Sequence, residues 1–396
     1  MNNVNCCNIK LYRLFIDAIR AEFSAIFRDG GALLILVFAT MIYTVIYSVA
    51  YGREVVTDVV IGVVDDDRTQ SSRRLIDGLS SGPNTTVGYE PISINDAEDM
   101  FYHNDIYGVV YIPQGYEREL LSGRQADVGV VLDGSHLLLY RQVLEQAAAD
   151  ILTRGAEVEV QRLMAAGVNG AAIKGVVEPV VYESHILYNP SLGYGSFVMP
   201  SILVVIIQQT MLIGIALVGI KRRNAMTCLM PLTITQSIAI VFAKILVYIA
   251  IYGINLVVIL GAIWPAFGFP YAGNTWDVIT LLALYIVAVV ALGLTLSHLF
   301  RRRESPFIIL LWSSAPILLL AGLSYPREAF PGWLYAIGEL LPSSSAVRAY
   351  VDIGTMGASL WNVRGEIFTL TVLACLYLAL AIILEKRAIV NKKWAK

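Results

Sequence analysis

The sequence predicts a polytopic α-helical membrane protein of six transmembrane helices, with an α/β extracytoplasmic domain inserted after the first. Three observations carry this. Hydrophobic residues make up 57% and charged residues 15% of the 396 residues, with a mean hydropathy of +0.65. A soluble domain carries about 25% charge and about 45–50% apolar residues, so an ordinary soluble enzyme, a disordered chain, a collagen and a disulfide-rich module are all excluded. Six charge-poor windows are long enough to cross a bilayer. Between the first two windows lies a stretch with a soluble pattern. A net charge of −2 gives no global pointer to nucleic acid.

A hydrocarbon core of about 30 Å needs roughly 20 apolar residues in a helix. The windows are Gly31–Tyr51, about Tyr194–Ile220, about Ile238–Ile263, about Val278–Phe300, about Pro306–Leu323 and about Ile367–Leu384. Basic clusters end several of them: Lys221-Arg222-Arg223, Arg301-Arg302-Arg303, and Glu385-Lys386-Arg387. Lys and Arg in short loops set orientation. With the N-terminus inside, the cytoplasmic side holds Lys10, Arg13, Arg20, Arg28, both triplets, Lys386, Arg387, Lys392, Lys393 and Lys396, 15 in all. The short outer loops hold only Arg327, Arg348 and Arg364. Residues 52–192 then lie outside, and their ten basic residues are no objection, because long domains translocate largely regardless of charge.

The first apolar run is too long for a signal peptide and follows about 30 residues. Those residues, 1–30, read as a cytoplasmic interfacial helix. Leu11, Leu14, Phe15, Ala18, Ile19, Phe23, Ile26 and Phe27 share one face, while Lys10, Arg13, Asp17, Arg20, Ser24 and Arg28 share the other. A basic topogenic flank is the plainer reading. Residues 385–396 form a basic cytoplasmic tail. Cys6, Cys7 and Cys228 fall on the cytoplasmic side and Cys375 inside a span, so the exported domain needs no disulfide.

In the exported domain, strands are expected at Val55–Val64, Thr85–Tyr89, Gly108–Ile112 and Ala126–Leu132. Helices are expected at Thr69–Leu79, Ser93–His103, Gln114–Leu121 behind Pro113, and from about His136 to Ala166 with a break near Gly155. A final extended segment covers Val176–Tyr188. Alternating strands and helices predict an α/β domain. Asp65-Asp66-Asp67 reads as a strand-end turn and helix cap, since Ca²⁺ needs six to eight oxygens and no such loop follows. No pair among His103, His136 and His185 has metal-ligand spacing, and the glutamates at 117, 119, 157 and 159 read as solvated helix faces.

The windows hold no Asp or Glu between their ends, so an ion relay is absent. Lys244 lies a turn or two inside the third window and is expected to snorkel to the cytoplasmic face. Gln208, Gln209, Thr210, Asn255, Ser313 and Ser314 serve as interhelical bonds or line a path. No Walker loop, nucleophile elbow or zincin motif is present. Ser343-Ser344-Ser345 reads as a polar turn after Pro342.

Two loops stand out. The first, 221–237, runs Lys221-Arg222-Arg223-Asn224 through Met226, Pro231 and Thr233 to Gln236. It is either a plain linker or a short helix offering a partner a handle on two spans. The second, 324–362, is apolar, aromatic and proline-broken, with Tyr325-Pro326-Arg327, Phe330-Pro331-Gly332-Trp333 and Leu341-Pro342. It is too short to span and reads as a segment that dips into the bilayer and returns. Backbone of that kind is tolerated only where protein buries it.

At these residues the sequence resembles the ABC-2 type transporter permeases, specifically half-size export permeases with a large extracytoplasmic domain after the first span. The resemblance covers nearly the whole chain, and Tyr325 to Leu334 with Leu341-Pro342 is its most specific part. Pro231, Thr233 and Lys244 resemble the coupling-helix region, with Ala243 where Gly is common and no acidic residue soon after the second span. It implies a permease subunit of an ATP-driven exporter of amphipathic drug-like or lipid-like molecules, in the bacterial inner membrane with both termini cytoplasmic. It further implies no cofactor on this chain, with ATP and Mg²⁺ on separate cytoplasmic ABC ATPase subunits, and no enzymatic activity of its own. A second permease copy or a paralogue would be a partner, as would membrane lipids and a periplasmic adaptor. Arg222, Arg223, Met226, Pro231, Thr233 and Lys244 would couple to the ATPase. Tyr325, Pro326, Phe330, Pro331, Trp333 and Pro342 would form an external gate, and Gln208, Gln209, Asn255, Ser313 and Ser314 would line a path. Independently of the resemblance, a transport-like architecture with neither Walker loop nor ion relay needs another chain for its energy. The competing expectations are a membrane-anchored envelope assembly protein that moves no cargo, and an intramembrane enzyme, for which no catalytic set is present.

Overall fold

A computed structural model describes residues 11–177, 180, 185–225 and 233–391. Met226, Pro231, Cys6, Cys7, Cys228 and residues 392–396 lie outside the described residues. The chain forms two compact units: residues Met1–Glu54 with Ile186–Lys396, and Val55–His185.

Among the described residues of the first unit, five helices are long and apolar enough to cross a membrane: Gly30–Ala50, Tyr194–Arg223, Ile234–Ala266, Thr275–Ser297 and Arg364–Lys386. The fifth sequence window, Pro306–Leu323, is shorter. Ser305–Trp312 and Ser314–Leu320 form an apolar pair broken at Ser313, not one long helix. The Tyr194–Ala225 helix is the centre of the bundle. Its apolar window is 94% buried, against 28% for Gly30–Ala50 and 22% for Arg364–Lys386. A helix apolar all round belongs in a core, while the two outer helices keep apolar side chains such as Ile46 and Phe368 exposed.

Polar groups inside the bundle bond between helices, as buried polar groups must. Thr210 meets Thr40 Oγ1 at 3.0 Å and Tyr252 Oη at 2.9 Å, joining three helices. Tyr285 donates to the Val204 carbonyl at 2.7 Å. Leu36 lies in a π-helical stretch, Leu34–Ala39, and its carbonyl accepts Asn255 Nδ2 at 3.0 Å.

The amphipathic helix Leu11–Phe27 splits the expected apolar face. Ile19 and Ile26 turn into the bundle, whereas Phe23 and Phe27 stay about half exposed and stack on each other. Glu22 is buried on the inward side, 3% exposed.

The second unit is an α/β domain around a four-stranded sheet of order β2-β1-β3-β4. β1 (Val59–Asp65) is parallel to β2 (Thr85–Tyr89) and β3 (Gly108–Ile112), and β3 is antiparallel to β4 (Gly129–Leu132). Helices Gln70–Ser81 and Leu137–Ala165 cover one face through Leu75, Leu79, Val143 and Ala147. Helix Ile94–Tyr102 covers the other through Ala97. Thr69 and Ser72 close a reciprocal capping box, and the Ser93 hydroxyl accepts the Asp96 amide.

The acidic triplet is a turn. Asp65 accepts the Asp67 and Arg68 amides, and Asp67 accepts those of Gly115 and Glu117. Desolvation pushes the Asp67 carboxyl up, but the Glu117 amide, the Thr69 hydroxyl and the Gly115 amide outweigh it and hold it below its ordinary value. Several details differ from expectation: β1 starts at Val59, not Val55, and the helix after Pro113 starts at Tyr116 behind Gly115, not at Gln114. The Leu137–Ala165 helix runs unbroken through Gly155, which is exposed on it. The fourth strand starts at Gly129, not Ala126. Helix Gly170–Val177 occupies the start of the segment expected to be extended, and residues 178–179 and 181–184 lie outside the described residues.

Candidate functional site

Two polar constellations sit in the helical unit. The first gathers at the end bearing the basic triplets. Arg222, 17% exposed at the side chain, bonds Glu22 Oε2 at 3.0 Å and Glu385 at 3.3 Å. Lys244 Nζ lies 2.9 Å from Glu385 Oε1. His298 Nε2 lies 3.4 Å from Glu385 Oε2. Tyr248 donates to Glu22 Oε1 at 2.8 Å. Five elements therefore meet at one buried charge cluster: the amphipathic helix, the helices carrying Arg222, Lys244 and Glu385, and the C-terminal cap of Thr275–Ser297. Around it, Asp29 caps the Gly30 helix and pairs with Lys221 and Arg303. Arg223 donates to the carbonyls of Ser297 and Phe300.

This placement corrects one expectation. Lys244 does not snorkel. It is 2% exposed, because Glu385 on another helix supplies the counter-charge that makes burial tolerable. Arg222 likewise faces inward. Thr233 starts the Ile234 helix as an exposed capping box with Gln236, its hydroxyl accepting the Gln236 amide at 3.3 Å. Of the six residues expected to couple to a partner, the structure brings Arg222 and Lys244 together. It places Arg223 and Thr233 outside their cluster, and Met226 and Pro231 lie outside the described residues.

The second constellation is the proline-broken segment. Pro331 precedes helix Gly332–Glu339, and Pro342 opens helix Pro342–Tyr350 at its first turn. Ser343, Ser344 and Ser345 are not a loose turn but the first turn of that second helix, all fully buried. The Ser343 amide donates to Gln208 Oε1 at 2.9 Å, and Ser344 Oγ donates to the Leu320 carbonyl at 3.3 Å. Gln208 is fourteen residues from both Tyr194 and Arg222, about 21 Å along a helix from either end. The helix N-terminus at Pro342 thus reaches the middle of the central helix. Tyr377, midway along the Arg364 helix, donates to the Leu340 carbonyl at 2.6 Å. This also accounts for the short fifth window: the helix ends at Leu320, whose carbonyl meets the Ser343–Ser345 turn.

Arg327 pins the segment. It is 2% exposed, lies 2.9 Å from Glu339 Oε1 and stacks over the Tyr335 ring at 4.7 Å. Arg348 shares Glu339 at 2.8 Å. Gly322, at φ +89°, leaves room for the Arg327 stem, which a Cβ would meet at 2.8 Å. Tyr325 and Phe330 stack at 6.1 Å, and Trp333 is 67% exposed.

Of the expected path residues, Gln208 caps the buried helix and Asn255 holds the Leu36 carbonyl. Ser313 and Ser314 bond back to the Leu310 and Leu311 carbonyls of their own turn. Gln209 is 8% exposed with both amide atoms unbonded among the described residues. Sequence reasoning missed Glu22, Glu385, His298, Tyr248 and Glu339. Glu22 had a signal: it interrupts the stripe of Phe15, Ala18, Ile19 and Ile26, where a carboxylate is expensive without a buried cation. Among the described residues no group of three His, Cys, Asp or Glu side chains is placed to hold a metal ion.

Comparison with known proteins agrees with this architecture. The chain is 26% identical over 339 residues to the probable multidrug ABC transporter permease YbhR of Escherichia coli K12, covering 85% of this chain and 87% of that one. It is 24% identical over 341 residues to the inner membrane transport permease YhhJ of the same strain, covering 83% and 85%. It is 21% identical over 359 residues to the linearmycin resistance permease protein LnrN of Bacillus subtilis 168, covering 87% and 92%. The family of ABC-2 family transporter proteins matches residues 31–383. A match over that span, on five bilayer-length helices, makes this chain a member of the ABC-2 transporter family.

Proposed function

We propose that this chain is the membrane-spanning permease subunit of an ATP-driven exporter, powered by separate ATPase subunits and working as a pair of permease chains. The observation that carries the reading is the family match over residues 31–383. In this reading the basic end is cytoplasmic, the second unit is extracytoplasmic, and the Ser305–Leu320 pair with the Pro342 helix makes the sixth crossing. The names of the relatives, multidrug and linearmycin resistance permeases, support amphipathic drug-like or lipid-like cargo.

The charge cluster suits a coupling role. The segment after Arg223 and before Thr233 is the cytoplasmic contact, and Arg222 and Lys244 flank it on two helices. A push on that segment moves both cations, and Glu22 and Glu385 carry the displacement to the amphipathic helix and the last span. The paired helices 332–350, pinned by Arg327 and Glu339, form the external gate with Tyr325, Phe330 and Trp333 at its exposed rim.

The test is purification from native membranes, identification of co-purifying subunits by mass spectrometry, and transport of fluorescent amphiphiles in inside-out vesicles. The expected result is a co-purifying subunit with a Walker loop and uptake that requires ATP. Uptake by the purified chain alone, or a complex without any ATPase, overturns the proposal.

A further inference from the structure

The Leu137–Ala165 helix carries an outward stripe on which Arg141, Leu144, Ala148 and Leu152 are exposed and Ala156 and Glu159 half-buried, Ala156 at the edge of the groove under helix Gly170–Val177. Its inward face, through Val143 and Ala147, packs on the sheet. On the outward face Arg141, Leu144, Ala148, Leu152, Ala156 and Glu159 recur at three- and four-residue steps, so they line one side of the helix. Leu152 is 73% exposed and Leu144 39%, although leucine gains by leaving water.

The stripe is self-complementary. Turning the helix end for end about Asp150 exchanges Arg141 with Glu159, Leu144 with Ala156, and Ala148 with Leu152. We propose that this stripe packs antiparallel against the same stripe of a second copy, about a two-fold axis near Asp150. Such a contact is isologous, so each pairing occurs twice. Each leucine then sits over an alanine, where the small side chain leaves room for it and lets the helix axes approach. Arg141 meets the partner's Glu159. A parallel pairing sets arginine on arginine, glutamate on glutamate and leucine on leucine, with repulsion at both ends. Within one chain Arg141 pairs with Glu145 at 2.8 Å and Glu159 with Arg162 at 2.8 Å. These are exposed pairs of small worth, so exchanging them for contacts with the partner costs little.

The proposal rests on the two-copy reading, and the experiment separates the two. Full-length chains with Cys6, Cys7, Cys228 and Cys375 changed to serine are co-expressed with two different affinity tags and oxidised in native membranes. One carries Ala148→Cys and the other Leu152→Cys. Co-purification of the two tags reports association. A disulfide-linked dimer at least about threefold above the Ala148→Cys with Glu98→Cys control reports the interface. Arg141→Glu lowers that yield about threefold, the scale of two exposed ion pairs, and Arg141→Glu with Glu159→Arg restores it. If the tags co-purify but Ala148→Cys with Leu152→Cys gives no more than the control, the interface is wrong and the two-copy reading stands. If they do not co-purify, both fall. A yield that ignores Arg141→Glu overturns the antiparallel register.

Discussion

Glu385 faces Lys244, Arg222 and His298 from the last long helix, and Glu22 faces Arg222 and Tyr248 from the first. Each carboxylate has a cation, so the cluster divides into two pairs, Lys244–Glu385 and Arg222–Glu22. Breaking one partner of a buried pair leaves an uncompensated charge and costs about 3–5 kcal/mol, whereas replacing both partners by apolar groups is often nearly neutral. Glu385→Met is therefore expected to destabilise strongly. Lys244→Met with Glu385→Met should lie closer to the parent, because Arg222 keeps Glu22. Thermal unfolding of the three proteins in one detergent checks this, and equal losses for single and double variants would contradict it. In the sequence, Lys244 and Arg222 were legible as cations near a helix end. Their burial was not, because the carboxylates that permit it lie 141 and 200 positions away.

At the level of elements, the long spans and the strands β1 to β3 follow from period and composition, which act locally. The helix Gly170–Val177 did not: the sequence predicts an extended segment from Val176, and the helix forms where it packs on the Leu137 helix with Ile173 buried. The amphipathic helix shows the same limit: periodicity found its apolar face, and only packing divided that face between protein and surroundings. Gly108 in β3 lies under the Leu137 helix at Val143. A Cβ there would lie 2.7 Å from Val143 Cγ1 and 3.1 Å from Leu132 Cδ2. Gly108→Ala should destabilise the second unit by about 1–3 kcal/mol through overpacking. Val143→Ala in the same chain should recover part of the loss, since it removes the nearest atom. Urea unfolding followed by circular dichroism reads both, and additive losses would show that the contact is not the cause.

As a whole, the molecule joins an apolar bundle to a domain with its own sheet and core. Residues 55–185 expressed alone should give a soluble protein with one cooperative thermal transition, and a gradual melt would show that the core depends on the bundle. Its acid behaviour has a definite sign. The Ser135 hydroxyl, then His136 and the Ser135 amide, hold the Asp133 carboxyl at about 2, and Asp67 is also lowered. A folded value below the unfolded one near 3.9 gives stability that is full above about pH 4 and lost as pH falls through the folded value. The excised domain should therefore keep its melting temperature from pH 7 to about 5 and show a decrease between about 4 and 2. Asp133→Asn should flatten that acid limb.

The sequence alone determined the class of this protein: bilayer-length apolar helices, the inserted α/β domain and the family likeness. The first two rest on composition and short-range periodicity, and the likeness on motif residues, above all Tyr325 to Leu334 with Leu341-Pro342. The tertiary structure decided what the polar residues do. Lys244 became one half of a buried pair, Gln208 the cap of a mid-depth helix, and Ser343 to Ser345 a buried first turn. A buried polar group is defined by its partner, and these partners sit on other helices, far along the chain. The low charge content that marks the membrane part also makes each remaining charge costly to bury, so those few residues end up at the joints between helices.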